Sequence, residues 1–330
     1  MNKICDSKMA WISLSAAGLA LAALACDASG ATQPPPAEVP HQDRWGIYNL
    51  DLATQAVDLI YSSSDAITTA RLNSAGDRIV FSQEVGGAGY DYSEIFTLGV
   101  DGQNPQRLTD NDVWDLYPSW SPDGTQIVFL SWRESDMDLY VMQADGSSVE
   151  RLFDSGAHDA DVHWASNRIV FTSGNRLWVM NDDGTNASSV TDPPQAGEWG
   201  NANLPFGDYD PRLSPDGSRI AFERMVDTVP VNGSYDLFLA DNDGANLTRL
   251  TDSGYSQGFP SWSHDGTKIV YLVAAIDGTA QFDLYMMNVD GSDNRNITPG
   301  WFPSEFLCHA AVFSTDDSSI YFVGEWWAEK

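Results

Sequence analysis

A fourteen-residue segment recurs along this chain of 330 residues. Its three best copies read PSWSPDGTQIVFLS at 118–131, PRLSPDGSRIAFER at 211–224 and PSWSHDGTKIVYLV at 260–273, and weaker copies lie at 70–82, 162–173 and 311–324. The aromatic residues that close the six copies are separated by 48, 42, 51, 49 and 51 residues. That spacing accommodates four short strands and their turns, so the repeat predicts a modular all-β array.

Each copy contains the signals of four consecutive strands. A short strand runs into Ser-Pro-Asp-Gly, in which proline and glycine favour a type I turn, and an alternating strand such as Gln126–Phe129 follows. A third strand, for example Asp138–Met142, ends in an Asp-Gly hairpin turn at Asp145. A fourth strand closes on residues such as Arg107–Thr109. A four-stranded unit repeated in this way is typical of a β-propeller blade.

The two ends of the array complement each other. The last copy stops after its second strand at Gly324, whereas the globular part opens with a third-and-fourth-strand pair, Gly46–Leu50 and Gln55–Tyr61. Pairing the two ends completes one blade and removes exposed sheet edges. We therefore predict an all-β fold, a six-bladed β-propeller with N-terminal strands closing the last blade.

The repeat resembles that of the TolB-type six-bladed propellers, with the pattern P-x-W-S-P-D-G, I-x-F, D-L-Y-x-M-N-x-D-G and R-L-T. The resemblance covers roughly residues 44–330, and three copies match almost fully. It implies a WD-like propeller domain over those residues.

The first 25 residues have the features of an export signal. Lys3 and Lys8 precede an apolar run, Ala10–Ala25, that is too short to span a membrane. The segment Ala23–Cys26 resembles a bacterial lipobox, which implies lipidation of Cys26; an ordinary secretory signal cut nearby is the alternative. Residues 26–43 are rich in proline and predict an extended tether. We expect a signal peptide at 1–25, a tether at 26–43 and a propeller at 44–330.

Charge narrows the choice of partners. The chain has 47 acidic and 17 basic residues, a net charge of −30. Nucleic acid and direct docking on anionic lipid are disfavoured, because both need clustered Lys and Arg. The expected membrane contact is the lipid anchor, and the expected location is the periplasm-facing cell envelope, where the partner is a protein or peptide. Cys308 is the one cysteine left in the propeller, and we expect it to pack as a small hydrophobe.

Aligned copies place polar residues at the start of the innermost strands. With strict alternation of side chains, three positions in each copy share the channel side of the strand, opposite tryptophans that pack between blades. The predicted ligand-binding residues of the channel mouth are Arg71, Asp115, Asp159, Asp161, His163, Asp208, Asp210 and Arg212. Either Asp159, Asp161, Asp208 and Asp210 converge on a calcium ion, or the carboxylates form a structural charge network with the arginines. No other cofactor is indicated.

The long connections of the repeat all lie on one face of the predicted ring. The longest, Asp192–Asp210, carries Trp199 and Phe206, which either anchor a partner or pack on their own blade. We therefore expect a non-enzymatic, lipid-anchored envelope propeller that binds a protein or small ligand through this face and the channel mouth. The alternatives are a glycan-active enzyme similar to oligogalacturonate lyases, with a metal site at the channel mouth, and a purely structural envelope protein.

Overall fold

A computed structural model describes residues 38–86, 92–199, 204–227, 234–274 and 282–327. The predicted signal peptide and Cys26 lie outside these residues. Among the described residues, no helix is long and apolar enough to span a bilayer.

Within these ranges the chain forms six four-stranded sheets. The first strands of the blades are β3 (Ile67–Leu72), β7 (Asp115–Trp120), β11 (Asp159–Ala165), β15 (Asp208–Leu213), β19 (Ser256–Trp262) and β23 (Phe306–Phe313). The second strands are β4 (Arg78–Val85), β8 (Gln126–Ser131), β12 (Arg168–Ser173), β16 (Arg219–Asp227), β20 (Lys268–Ala274) and β24 (Ser319–Trp326). The third strands are β1 (Trp45–Asp51), β5 (Tyr92–Gly99), β9 (Asp138–Gln143), β13 (Arg176–Asn181), β17 (Ser234–Asp241) and β21 (Phe282–Asn288). The fourth strands are β2 (Val57–Ser63), β6 (Gln106–Arg107), β10 (Glu150–Phe153), β14 (Ser188–Ser189), β18 (Thr248–Arg249) and β22 (Arg295–Asn296).

The blades close into a ring as the repeat predicts. Each first strand contacts the first strands of both neighbouring blades, from β3 through β23 and back to β3. We number the blades from β3–β6 as blade 1 to β19–β22 as blade 5. Blade 6 has the strand order β2-β1-β24-β23, and β1 pairs antiparallel with β24 from Trp45 opposite Glu325 to Asp51 opposite Ser319. The predicted closure of the last blade by N-terminal strands is therefore confirmed.

Tryptophans of the repeat pack between blades, as expected. Trp120, Trp164 and Trp262 retain 5%, 7% and 8% of their exposure. The indole Nε1 of Trp120 donates to the carbonyl oxygen of Arg71 at 3.3 Å, and that of Trp262 to Arg212 at 2.9 Å. Both bonds cross from one blade to the one before it. These side chains consequently contribute apolar burial and a directional contact between blades.

An irregularity in the first strand of every blade overturns the strict alternation predicted for these strands. The pairing of first and second strands shifts register near the middle of each first strand. At the shift, five blades hold a non-glycine residue with positive φ: Tyr117 (51°), Asp161 (56°), Asp210 (47°), Phe259 (54°) and Ala310 (35°). An inserted bulge residue re-aims the side chains on either side of it. Residues two positions before the bulge therefore do not share the channel side with those after it.

The propeller begins before the predicted boundary at residue 44. Val39 is 1% exposed and packs in the apolar cluster of blade 6. The ring of His41 lies 4.3 Å from that of Trp326, and Asp43 accepts a hydrogen bond from Ser62 Oγ at 2.5 Å. Residues 38–43 are thus part of the packed structure, because an apolar residue in the predicted tether finds a buried site on the last blade.

Candidate functional site

Five of the predicted channel residues meet near the centre of the ring, on the first strands of blades 1, 3 and 4. We call them, together with Glu223 of β16, the channel cluster: Arg71, Asp161, His163, Asp210, Arg212 and Glu223. Two of these acids, Asp161 and Asp210, are bulge residues with positive φ. The bulge therefore directs both carboxylates into the channel.

Short contacts hold the acids of the cluster. The backbone N–H of Asp210 donates to Asp161 Oδ2 at 3.2 Å, and Arg212 Nη2 lies 3.6 Å from Asp210 Oδ1. The backbone N–H of Phe259 donates to Glu223 Oε2 at 3.2 Å. Gly258 permits this approach, because a Cβ there would lie 1.9 Å from Glu223 Oε2. Three carboxyl groups thus share the space around two guanidinium groups.

Burial dominates the acid–base properties of the cluster. The pKa of Asp210 is raised to about 8, first by burial and then by the charge of Asp161, although Arg212 and Arg71 act to lower it. Burial also raises the pKa of Asp161 and of Glu223. With three acids against two arginines, full ionisation would leave a buried negative charge. The cluster consequently retains protons at neutral pH.

The histidine of the cluster is neutral. Burial lowers the pKa of His163 well below its usual range, and the charges of Arg212 and Arg71 lower it further. Its Nδ1 accepts a hydrogen bond from the backbone N–H of Leu213 at 3.2 Å, which requires an unprotonated nitrogen. His163 therefore acts as a neutral acceptor between blades 3 and 4.

A cavity of about 70 Å³ adjoins the cluster. Asp161, Asp210 and Glu223 supply its acidic wall, and Phe259 and Phe282 are among its apolar lining residues. Asp210 is 5% exposed, and its Oδ1 has no hydrogen-bond partner in the described structure. The cavity has room for a few water molecules or a small side chain.

Three predicted channel residues lie elsewhere, which corrects the expected convergence. Asp115 accepts hydrogen bonds from Ser131 Oγ and, at 2.7 Å, from Asn111 Nδ2. Asp159 accepts from Ser155 Oγ at 2.6 Å. Asp208 accepts from Arg224 through both oxygens, at 2.5 and 2.8 Å.

The bulge explains why Asp115, Asp159 and Asp208 lie outside the channel cluster. These three aspartates precede the bulge, and their side chains bond to groups near their own blade. Asp159, Asp161, Asp208 and Asp210 consequently do not surround one point. Among the described residues, no three His, Cys, Asp or Glu side chains are arranged to hold a metal ion. The ion pair between Asp210 and Arg212 favours the charge-network alternative over calcium.

An acidic contributor to the cavity was missed by sequence reasoning. Glu223 follows the closing aromatic of its repeat, and it is the single charged residue at that position, where the other copies have Ser82, Leu130, Thr172, Leu272 and Val323. That departure from the repeat was a signal in the sequence. His309 lines the same cavity, and its Nε2 lies 3.3 Å from the buried carboxylate of Glu325, which also pairs with Arg44 at 2.5 Å.

The two aromatic residues of the long connection between blades 3 and 4 differ in their exposure. Trp199 is 63% exposed, whereas Phe206 is half-buried against Leu204, Tyr209 and Met225. Phe206 therefore packs on its own blade, and Trp199 remains available at the surface. Cys308 is fully buried and unpaired in the described structure, as a small hydrophobe would be.

Comparisons of sequence find similarity between this chain and TolB propellers. The family model described as TolB beta propeller domain matches residues 41–196. An uncharacterised protein of Agrobacterium fabrum is 27% identical over 192 residues, which cover 54% of this chain and 61% of that protein. A Tol-Pal system protein TolB of Francisella tularensis subsp. mediasiatica is 24% identical over 264 residues, which cover 75% of this chain and 57% of that protein. The chain thus spans about six tenths of the length of these curated relatives.

Solved structures share the architecture. A TolB-like protein of Agrobacterium tumefaciens superimposes with a TM-score of 0.66 at 16% identity, over 86% of this chain and 98% of that one. TolB of Acinetobacter baumannii gives a TM-score of 0.60 at 18% identity, over 77% of this chain and 63% of that one. At these identities the likeness concerns the fold. The six closed blades and the likeness to these structures show a six-bladed β-propeller, and residues 41–196 are similar to the TolB propeller domain.

Proposed function

We propose that this protein is a lipid-anchored propeller of the bacterial cell envelope that binds a protein partner through its long-loop face and channel mouth, without catalysing a reaction. One observation carries the proposal. We call the face with the connections from second to third strands and from one blade to the next the long-loop face. The exposed aromatic residues of the described structure all lie there: Tyr92 (36%) at the start of β5, and Trp199 (63%) and Tyr255 (47%) on connections between blades. The exposed aliphatic residues Val149 and Leu247 lie on the opposite face, in turns between third and fourth strands.

Such residues suit protein recognition. Tyr and Trp offer large rigid contact areas at low entropic cost, and they are enriched among the residues that dominate binding energy. Relatives named as proteins of the Tol-Pal system support an envelope protein as the partner class.

The proposed anchor is Cys26 at the start of the tether. Between it and the packed residues lie positions 27–37, which reach about 36 Å when fully extended. The propeller body, with a chain charge of −30, is poorly suited to bind anionic lipid itself. The lipid is therefore proposed to hold the protein at the membrane while the tether leaves the long-loop face free to meet a partner. No specific observation favours the glycan-active alternative. The described residues contain no group of three His, Cys, Asp or Glu side chains arranged to hold a metal ion.

Site-specific crosslinking in cells tests the binding face. A photo-reactive amino acid placed at Trp199 or at Tyr255 is expected to capture the same protein. The matched control is Leu247, which is similarly exposed at 46% but lies on the opposite face. Capture of that protein equally well from position 247, or no capture from the two aromatic positions, would contradict the proposed face.

A further inference from the structure

The cavity of about 70 Å³ beside the channel cluster has an acidic wall and an apolar wall, and we call it the acidic cavity. Asp161, Asp210 and Glu223 form the acidic wall. The apolar wall includes Leu204, on the connection between blades 3 and 4, and Phe282, at the start of β21. The acidic cavity therefore lies at the end of the channel that faces the long-loop side of the ring.

The arginines of the channel cluster do not donate hydrogen bonds to these carboxyl groups. In the described structure, Arg71 Nη1 donates to the carbonyl oxygen of Ala70 at 3.0 Å, and Arg212 Nη1 donates to that of Pro211 at 2.8 Å. Arg212 Nη2 lies 3.6 Å from Asp210 Oδ1, an ion pair that is longer than a hydrogen bond. Both guanidinium groups are thus hydrogen-bonded to the backbone beside them and not to the acidic wall.

The Oδ1 atom of Asp210 is a buried acceptor without a donor. Asp210 is 5% exposed, and this oxygen has no hydrogen-bond partner in the described structure. Glu223 is 4% exposed, and its Oε2 accepts the backbone N–H of Phe259 at 3.2 Å. A buried carboxylate oxygen that lacks a donor costs free energy. A cationic donor in the acidic cavity removes this cost.

The charge balance of the cluster also favours a cation. Its three carboxyl groups share the channel with two guanidinium groups, so the fully ionised cluster carries one excess negative charge, which one monovalent cation neutralises. The described residues contain no group of three His, Cys, Asp or Glu side chains that could hold a metal ion. An organic ammonium fits this site, because its N–H groups reach a carboxylate oxygen at about 2.8 Å and its alkyl chain packs on the apolar wall.

We propose that the acidic cavity binds the primary ammonium group of an alkylamine, with Asp210 Oδ1 as its main acceptor and Glu223 and Asp161 as neighbouring charges. An ammonium is compact and carries three N–H donors, whereas a planar guanidinium matches a carboxylate that offers both oxygens. The rings of Phe259 and Phe282 line the same cavity and favour a cation further. The ammonium belongs to a lysine side chain of the protein partner, which rests on the proposed function, or to a free alkylamine, which does not.

Titration of the purified protein with n-butylamine, followed by saturation-transfer NMR, is the direct experiment. An ionic strength of about 0.15 M screens general attraction to the acidic surface. Neutral n-butanol, which has nearly the same shape, is expected to bind at least about tenfold more weakly. Absence of n-butylamine binding, or equal binding of n-butanol, would overturn the proposal.

The pH dependence of binding checks that an ionised acid of the cavity receives the amine. Binding of n-butylamine is expected to be at least about fivefold tighter at pH 8.5 than at pH 6, because Asp210, whose pKa is raised to about 8, releases its proton between these values. The amine stays charged over this range, as a lysine side chain with a pKa of about 10.4 does. Equal affinity at both pH values would contradict the assigned acceptor.

Variants locate the site. Asp210→Asn is expected to weaken n-butylamine binding at least about tenfold and Glu223→Gln at least about threefold, and the second remains informative if the first does not fold. Asp112→Asn removes the same charge from an exposed residue on the connection between blades 1 and 2, and it is expected to change the affinity less than about twofold. Equal losses in Asp210→Asn and Asp112→Asn would overturn the proposal.

A peptide distinguishes the two sources of the ammonium. An acetylated and amidated Gly-Lys-Gly peptide has its lysine as its single ammonium, and a site for a partner's lysine is expected to bind it at least as tightly as n-butylamine. Tighter binding of n-butylamine assigns the site to a free alkylamine. Binding of n-butylamine without any protein captured by crosslinking from Trp199 or Tyr255 contradicts the proposed partner alone, and the opposite pair of results contradicts the acidic cavity alone.

Discussion

Equivalent residues of a repeat can serve different purposes, and the aspartates before the bulge illustrate this. Asp115 and Asp208 are neutralised by arginines of their own blades, whereas Asp159 keeps an unpartnered oxygen. At the bulge, Asp161 and Asp210 face the channel, where Asp161 accepts from a backbone N–H and Asp210 lies 3.6 Å from the guanidinium of Arg212. The local backbone conformation therefore decides whether an acidic residue stabilises a blade or supplies charge to the channel.

The channel cluster makes stability depend on pH. Because burial raises the pKa of Asp210 to about 8, the folded protein binds a proton more tightly than the unfolded chain. This contribution to the free energy of unfolding is fully present below the pKa of an unfolded aspartate, about 4, and is lost as pH rises through about 8. Wild-type protein is expected to have a lower Tm near pH 9 than near pH 5.

Asp210→Asn should remove part of that dependence. The variant is expected to gain a few degrees in Tm relative to wild type near pH 9 and to show little gain near pH 5, since about 1 kcal/mol shifts Tm by roughly 2 °C in a domain of this size. Calorimetry at both pH values measures this. Asp112→Asn, an exposed control, should shift Tm equally at both. A gain for Asp210→Asn that is the same at both pH values would contradict the assigned pKa.

At the scale of the elements, the tight turn between first and second strands is a self-contained hydrogen-bonded unit. In blade 4, Asp216 Oδ1 accepts from Ser214 Oγ at 2.6 Å, from the Ser218 N–H at 3.0 Å and from Ser218 Oγ at 2.8 Å. Gly217 completes the turn with φ of 72°, a conformation that glycine adopts without strain. Acidic residues such as Asp216 therefore stabilise the tight turns of this chain.

Asp216→Ala is expected to destabilise the propeller. Hydrogen bonds to the side chain lower the pKa of Asp216 to about 2, so its stabilisation is present above about pH 4 and is lost as pH falls through 2. Thermal unfolding near pH 7 should show a Tm lower by roughly 1–3 °C. The control Asp182→Ala changes an exposed residue in the turn between the third and fourth strands of blade 3 and should leave Tm nearly unchanged. Equal Tm values for both variants would argue against a structural role of the turn aspartate.

At the scale of the molecule, stability depends on joining the two ends of the chain. Strand β1 lies between β2 and β24, so its loss would expose the edge of β24 and the apolar cluster of blade 6. Tyr48 and Leu50, both fully buried, belong to that cluster. An open ring would also present an unpaired strand edge for aggregation.

Deletion of residues 44–61 is therefore expected to abolish cooperative unfolding of the ring. Deletion of residues 27–37, which lie before the packed residue Val39, should leave Tm nearly unchanged. Circular dichroism during heating measures both. A sharp, wild-type transition in the 44–61 deletion would show that ring closure contributes little to stability.

The proposed membrane association of the whole molecule depends on the proposed anchor. Cys26→Ser is expected to move the protein from the membrane fraction to the soluble periplasmic fraction, because the acyl chains and not the acidic body supply the affinity. Fractionation of cells and incorporation of labelled palmitate into wild type check this. Unchanged membrane association of the variant, with no label in the wild type, would refute lipidation.

The blade count, the strand order within each blade, the closure by the N-terminal pair and the packing of Trp120 and Trp262 between blades could all be predicted from the sequence. These features repeat, and they depend on local turn chemistry and on the alternation of apolar residues, both of which are readable along the chain. The position of Val39 was not readable in this way, because one apolar residue in a proline-rich segment does not reveal where it packs.

The composition of the channel could not be predicted from the sequence. Side chains near the bulges follow the register between β-strands, and a single inserted residue turns Asp159 and Asp208 away while directing Asp161 and Asp210 inward. Glu223 joins them from a second strand because Gly258 of the next blade leaves space for its carboxylate. Such contacts join residues distant in sequence, and their energies arise from burial and mutual charge, which exist only once the ring has closed.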